Sequence, residues 1–561
     1  MSTQNFTFMM VAGALTFATA SCKPSGIKTQ TLSSSASTDA ASTQNVTGKI
    51  ALLNAVTSAL TTFDATALTV RNNRPQDWNT TIAQLKTELQ QAQTPTDITR
   101  VFRRLNATYP SLHAEFTPGE EMQSYFPHVS RALAGFTAEW ISQNSTQFRV
   151  HRADSSLQSL GENAPKIGDT LLAINGKPMQ FWSDENFTFC KYRLRTTCDT
   201  QLPANFFNQI LSWQEKDGLN FTLSRNGKTW IVAIPFEQQT NNVQQNQNPP
   251  TSFACGNEQN RYPDFSIAYT GAHACVYNSN NNPDVAILRI TSFDYSDVEN
   301  NAPIRNPDDE AAALTPWWIA NAHWKHLVVD VIDNPGGNSP MSIAALILSR
   351  PFQGENIQLQ KSNFLDDDSF RKELMWNDND HIVWFNYVFE TGRYGKVKQG
   401  EFLAPVAMFC PPGSGCANPF FKPTKHNFSG KVSLLTNSNC LSSCDSFSWA
   451  LKRSLGQNLT VVGQPSAADS AWARIYIDVF GSIKNNASAG QFDIKYRPVS
   501  SAAPTPSTNL LFTQGFILSR PVDPQTGAPI NGDSLNVDRF VPSNLENLDT
   551  WPADALAAAM H

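Results

Sequence analysis

Apolar residues recur every three or four positions from Lys49 to about Tyr109, in ALLNAVTSALTTF and again in WNTTIAQLKTELQQA. That spacing predicts amphipathic helices, and Thr96-Asp97 offers a cap for a third helix running to Leu105. The stretch 49–130 is therefore expected to form a helical domain. Between about Phe136 and Phe236 the period shortens to two, in KIGDTLLAINGKPMQFW and LNFTLSRNGKTWIVAIPF, where turn residues break alternating runs. Those are strand signals, so 136–236 is expected to be β-rich. Beyond it the runs VAILRI, HLVVDVI, VSLLT and LTVVG are short, apolar and β-branched, and helical stretches such as PMSIAALILSR and DSFSWALKRSL separate some of them. Strands of this kind suit a sheet buried on both faces, which predicts an α/β domain over 252–561. The Asn/Gln-rich stretch Gln238–Thr251 and the run Asn278–Pro283 offer little to bury and are expected as loops. The segment Gln353–Lys431, rich in aromatic residues and prolines, has no clear period and receives no assignment.

With 561 residues the chain has room for about three or four domains. Its net charge of −6 and the absence of any Lys/Arg block leave no basis for nucleic-acid binding. The first 22 residues carry an apolar stretch, Phe6–Ala20, that ends in small residues like a signal-peptide cleavage region. No Lys or Arg precedes the stretch. Thr19-Ala20-Ser21-Cys22 also resembles a lipobox, so cleavage and lipidation of Cys22 stand as alternatives. Residues 23–48 read as a flexible tether rich in Ser, Thr, Ala and Gln. The expected location is outside the cytoplasm: periplasm, outer membrane as a lipoprotein, or secreted.

Nine cysteines fit that location, because disulfides persist in oxidising compartments. Apart from Cys22 they fall into neighbours along the chain. Eight cysteines allow about a hundred connectivities, of which 190–198, 255–275, 410–416 and 440–444 is the most economical. A metal site is disfavoured, since no CxxC occurs and His273 is the histidine beside a cysteine. No cofactor is expected.

Three patches could carry chemistry. In Asp330–Gly337, DVIDNPGG, a strand runs into a glycine pair, whose backbone can turn sharply and leave amides facing a cleft; an ordinary strand-to-helix turn would look the same. In Asn437–Leu451, NSNCLSSCDSFSWAL, a strand gives way to a helix. A hydroxyl at such an elbow is exposed and lies beside free helix-terminal amides, although Ser442 and Ser443 could equally be capping serines. The third patch is PSLHAEF, with His113 at the end of the helical region; alone, such a histidine is usually structural.

Taken in order, L-x-x-x-x-x-x-L-H, KIGDTLLAINGKP, HLVVDVIDNPGG, and CLSSCDSFSWALK followed by VVGQP resemble the carboxyl-terminal processing (tail-specific) serine peptidase family. The resemblance implies a multidomain α+β and α/β protein: an N-terminal helical domain, a PDZ-like domain and a crotonase-like α/β catalytic core. It implies Ser442 as nucleophile, three residues before Asp445, and oxyanion donors from Ser443 and from Gly336 or Gly337. Ile167, Gly168 and Leu171 fall in the PDZ hallmark that binds peptide. One branch of the family uses a lysine base after a VGEP-like segment, but GQPSAADSAWA has no lysine. The branch containing the chlamydial protease-like activity factor is nearer, with a histidine base before the PDZ-like insert. His113 fills that place. The acid that orients it corresponds to Asn531 in GAPINGDSLNVD; Asp533 is the preferred acid there, with Asp538 behind it. The implied substrate is a flexible or C-terminal polypeptide segment. Two alternatives are a catalytically silent relative that binds peptide tails or a ligand, and a lipase or esterase, the latter disfavoured because no GxSxG surrounds Ser442.

Overall fold

The computed structural model describes residues 44–561 except 74, 110, 112, 115, 124–135, 141–147, 154, 191–217, 236–260, 299–301, 367–386, 390–391, 412–415, 417, 425–427, 468–473, 484–489, 499–508, 531–534 and 543–549. The leader and most of the tether lie outside the described residues. Among those described, no helix is long and apolar enough to cross a membrane.

The chain starts with strand β1 (Gln44–Thr47), followed by helices α1 (Lys49–Phe63), α2 (Ala65–Asn73), α3 (Pro75–Gln91) and α4 (Pro95–Ala107). α4 starts earlier than the Thr96-Asp97 cap predicts. Thr94 caps it, its Oγ1 accepting from the Asp97 amide while Asp97 accepts from the Thr94 amide, and Pro95 occupies the first turn. Buried Asp64 separates α1 from α2, because its carboxylate accepts the Ala67 amide (2.7 Å) and, from the far end of the chain, the Ile517 amide (2.7 Å). Next come β2 (Phe116–Pro118) and α5 (Glu120–Gln123).

The β-rich region comprises β3 (Phe136–Trp140), β4 (Phe148–Ala153), β5 (Thr170–Ile174), β6 (Lys177–Pro178), α6 (Met179–Phe189), β7 (Gly218–Arg225) and β8 (Lys228–Pro235). The strands form an antiparallel sheet in the order β3-β4-β5-β7-β8, with β6 paired to β5. Asn-Gly pairs make two of its turns, Asn175-Gly176 and Asn226-Gly227, all four residues at positive φ as tight hairpins require. Phe148, Leu171, Trp182, Phe221 and Ile234 are among the residues of its separate core.

The α/β region contains β9 (Phe265–Thr270), β10 (Ala274–Ser279), β11 (Val285–Ile290), α7 (Pro307–Asn321), β12 (His326–Asp330), α8 (Met341–Ile347), β13 (Asn356–Leu359), β14 (Val406–Ala407), β15 (Lys431–Thr436), α9 (Ser443–Leu455) and β16 (Leu459–Gly463). The chain ends with β17 (Arg474–Phe480), β18 (Gln491–Pro498), β19 (Leu510–Ile517), β20 (Ser519–Val522), β21 (Arg539–Phe540) and α10 (Trp551–Met560). A seven-stranded sheet runs β21-β16-β15-β12-β11-β10-β9, parallel from β21 to β11 and antiparallel beyond. Every residue of β11 is buried, as the VAILRI run predicts; each such aliphatic side chain contributes about 1.5–3 kcal/mol. Side chains from α7, α8 and α9 cover one face, and α10 covers the other.

Two features depart from the sequence reading. The helices of 49–130 do not close a core alone: Leu53, Leu60 and Phe102 share one with Ile477, Phe492 and Phe516 of the β1-β18-β17-β19-β2 sheet. Packing thus joins the N-terminal helices to the end of the region expected to be one α/β domain. The unassigned segment 353–431 supplies β13 and β14 to a β14-β13-β20 sheet. Strands this short, paired across the chain, leave no period to read.

The pairs Cys410–Cys416 and Cys440–Cys444 are disulfides as expected, and Cys190 is also disulfide-bonded. The 255–275 pairing is corrected, because Cys275 is a free thiol. It is fully buried in β10 beside Tyr262 and Ile287, where a cysteine packs as a small hydrophobe. Cys198 and Cys255 lie outside the described residues.

Candidate active site

The site is built where β12 and β15, neighbours in the parallel sheet, end side by side. β12 ends at Asp330, whose fully buried carboxylate meets Arg261 (3.1 Å), Arg289 (3.5 Å), the Tyr262 hydroxyl and the Ile332 amide (2.8 Å). Burial by itself would raise this carboxyl, but the two guanidiniums, the hydroxyl and the amide outweigh it and hold it below the usual range. Arg289 also donates to Ile332 O (2.6 Å), which pins the start of the next turn.

Asp333, at φ 63°, accepts from the side-chain amides of Asn437 (2.7 Å) and Asn439 (2.8 Å), and its own N–H donates to Asn437 Oδ1 (2.9 Å). The DNPGG turn is thereby tied to the NSNC turn. Asn334, fully buried, accepts the Gly336 N–H at its Oδ1 (2.9 Å), donates to Ile290 O (3.2 Å) and accepts the Leu441 N–H at its carbonyl (3.3 Å). The glycines are required by space as well as by φ. A Cβ on Gly336 (φ +89°) would lie 2.5 Å from Leu441 O and 2.8 Å from Ser442 Cβ, and one on Gly337 (φ +133°) 2.1 Å from Phe293 C.

Ser442 is the N-cap residue of α9, at φ 56° and ψ −122°, a backbone conformation that costs a non-glycine residue about 1–3 kcal/mol. The Cys440–Cys444 disulfide spans it. Ser443 Oγ donates to Gly337 O (2.6 Å), locking the two turns together. Among the described residues, the Ser442 hydroxyl and the N–H groups of Ser443 and Gly337 have no hydrogen-bond partner. The Gly336 N–H, by contrast, donates to Asn334, so of the two glycines it is Gly337 whose amide is unengaged among the described residues. Asp445, buried one turn into α9, accepts from the Ser466 hydroxyl, which in turn accepts the Leu535 N–H (2.8 Å). The Ala467 N–H donates to Cys440 O (2.8 Å).

The structure brings together Ser442, Ser443, Gly336 and Gly337. His113 stands on the turn between α4 and β2, partly buried, and no hydrogen bond joins it to Ser442. Asn531 and Asp533 lie outside the described residues. Asp538 is committed elsewhere, to Lys452 Nζ (2.8 Å) and the Val461 N–H (2.8 Å); slight burial would raise its carboxyl, but these partners hold it low. In the β-rich region Ile167 is 67% exposed and Gly168 (φ +91°) donates to Val150 O (2.9 Å). Leu171 packs its side chain into that region's core. Sequence reasoning passed over Asp333, Asn334 and Asn437. Their signal was the Asx residues set beside turns, where such side chains bond nearby backbone.

A sharp strand-to-helix serine elbow, backed by a glycine turn and two unengaged amides, is the apparatus of a serine-type peptidase. Residues 284–477 match the model of peptidase family S41, and the chain carries a domain of that family. The fold resembles mature CPAF complexed with lactacystin, at TM-score 0.58 and 15% identity over 91% of this chain and 97% of that one. A second structure of mature CPAF gives 0.57 and 15% over 91% and 95%. The photosystem II D1 C-terminal processing protease is more distant, with TM-score 0.31 and 12% identity over 89% and 95%. No curated protein sequence matches the chain.

Proposed function

We propose that this serine-type peptidase is an exported endopeptidase in which Ser442 forms the acyl-enzyme, His113 is the general base and Asp533 orients it. The observation that carries the reading is the Ser442 elbow, with its strained φ, its unengaged hydroxyl and the free amides of Ser443 and Gly337 beside it. Ser442 Oγ attacks the scissile carbonyl carbon as its proton passes to His113, and the carbonyl oxygen becomes an oxyanion. The Ser443 and Gly337 amides receive that charge, helped by the positive end of α9; loss of one such donor typically costs about 3–4 kcal/mol. Collapse expels the amine, which takes the proton back from His113, and water then cleaves the ester by the same steps reversed. Contacts to a catalytic base are often long without substrate, so the reading requires the His113 imidazole to reach Ser442 in the substrate complex. Asp533 lies two residues before Leu535, whose amide is tethered through Ser466 to Asp445 in the first turn after Ser442.

In this reading 49–130 carries the base, 252–561 contains a crotonase-like core, and 136–236 is a PDZ-like unit. It takes extended or C-terminal polypeptide segments at the exposed Ile167-Gly168 turn. Two disulfides and a bonded Cys190 support export, with residues 1–22 as signal and Cys22 as the point of any lipid anchor.

The test is fluorophosphonate labelling and casein hydrolysis by the purified mature protein, with Ser442→Ala and His113→Ala beside the wild type. Loss of both signals in both variants is expected. Labelling that survives Ser442→Ala overturns the nucleophile, and labelling that survives His113→Ala overturns the base. A folded wild type that neither labels nor cleaves makes the chain a binder of peptide tails that does not cut.

A further inference from the structure

Behind the glycine pair lies a second buried constellation that the mechanism does not use. His273, 2% exposed, sits in the turn from β9 to β10. Fully buried Glu310 fixes that turn, accepting the amides of Ala272 (3.1 Å) and His273 (2.9 Å) together with the Tyr295 hydroxyl (3.1 Å). Both ring nitrogens of His273 are engaged, Nε2 at 3.0 Å from Asp297 Oδ1 and Nδ1 at 3.0 Å from Thr291 Oγ1. A carboxylate only accepts, so Nε2 donates to Asp297, while Nδ1 meets the Thr291 hydroxyl, which also reaches His273 O at 3.4 Å. One imidazole thus grips both ends of the segment 291–297, and the Tyr295 ring stands edge-on against it at 4.7 Å.

The middle of that segment holds the glycine turn. Phe293 N–H donates to Gly336 O (2.9 Å), and Phe293 O accepts from Asn338 N–H (2.7 Å). The Phe293 backbone lies so close to Gly337 that a Cβ there would overlap it, and its ring packs on Phe447 of α9 at 5.4 Å. Phe293 therefore touches both the glycine turn and the helix that follows Ser442.

We propose that His273 is a positioning residue for peptide cleavage: by clamping Thr291 and Asp297 it seats Phe293 against Gly336-Gly337 and so aims the Gly337 amide at the oxyanion. The inference rests on the assignment of Ser442 and of that amide. A loosened clamp slows the chemical step and leaves substrate binding intact, because His273 touches neither substrate nor Ser442.

The test uses the full mature protein and measures kinact and KI for fluorophosphonate labelling of Ser442, with melting temperature alongside. Asp297→Ala cuts the clamp at a side chain that is 41% exposed, where folding tolerates change. It is expected to lower kinact about tenfold or more, with KI within about twofold and the melting temperature unchanged. His273→Leu should behave likewise, and His273→Gln, whose amide can donate to Asp297 and accept from Thr291, should recover most of the rate. Wild-type kinact in Asp297→Ala, an effect confined to KI or stability, or a Gln variant no better than Leu overturns the proposal. A wild type that does not label overturns the Ser442 reading and this inference with it, whereas labelled wild type with an unaffected Asp297→Ala overturns this inference alone.

Discussion

At Gly337 one hydrogen atom separates a working turn from a clash. A methyl group there would sit 2.1 Å from backbone atoms of Phe293, at a φ of +133° that L-residues rarely adopt. Backbone atoms cannot swing aside as a flexible side chain does. Gly337→Ala is therefore expected to lower stability by about 3 kcal/mol or more, read from the urea midpoint, and to abolish fluorophosphonate labelling even at temperatures where the variant stays folded. The glycine pair was legible in the sequence as a sharp turn, and Ser442 as an elbow serine. Which glycine keeps a free amide was not legible, because the answer depends on where the Asn334 side chain points. That the Leu171 side chain lies in a core was not legible for a similar reason. Its motif was read correctly as the start of a strand, but which face of that strand meets the core follows from the register with β7.

The elements that frame the site are held by two devices with different signatures. The Cys440–Cys444 bond closes a loop so small that the chain-entropy model assigns it only about 2 kcal/mol. Its larger effect is on the shape of the turn around Ser442. Cys440→Ser/Cys444→Ser is thus expected to lower the labelling rate by about tenfold or more while the melting point falls only a few degrees, measured on the same preparation. Beneath the neighbouring turn, Asp330 has a carboxyl held below its ordinary value of about 3.9. A depressed folded pKa means that its contribution is full above the unfolded value and fades as pH falls through the folded one. The urea midpoint of the wild type should be level with respect to this group between about pH 5 and 8 and drop below about pH 4. Asp330→Asn leaves Arg289 buried against a neutral group, so it should start roughly 3–5 kcal/mol lower and lose less on acidification.

At the scale of the whole molecule, the N-terminal helices and the last strands form one unit. β1 and β2 flank the sheet of β17, β18 and β19, and Asp64 ties α2 to Ile517 across most of the chain. A fragment starting at residue 252 would expose the apolar faces of β17–β19, and the loss of Leu53, Leu60 and Phe102 alone removes about 5–9 kcal/mol of burial. That fragment is expected to lack a cooperative thermal transition by near-UV circular dichroism, despite containing the whole S41 match. A sharp transition at the wild-type temperature would show instead that the α/β region folds alone.

Local chemistry accounts for what the sequence by itself determined. Helical and alternating periods, Asn-Gly hairpins, strands apolar on both sides, the elbow around Ser442 and two of the close disulfides all depend on residues within a few positions of one another. The tertiary structure decided whatever depends on partners brought from afar. It placed 353–431 through β20, left Cys275 unpaired inside a core, committed the Gly336 amide to Asn334, and made one imidazole at His273 hold the segment that backs the glycine turn. Such contacts leave no period or spacing in the chain, because their geometry exists only once distant strands have paired.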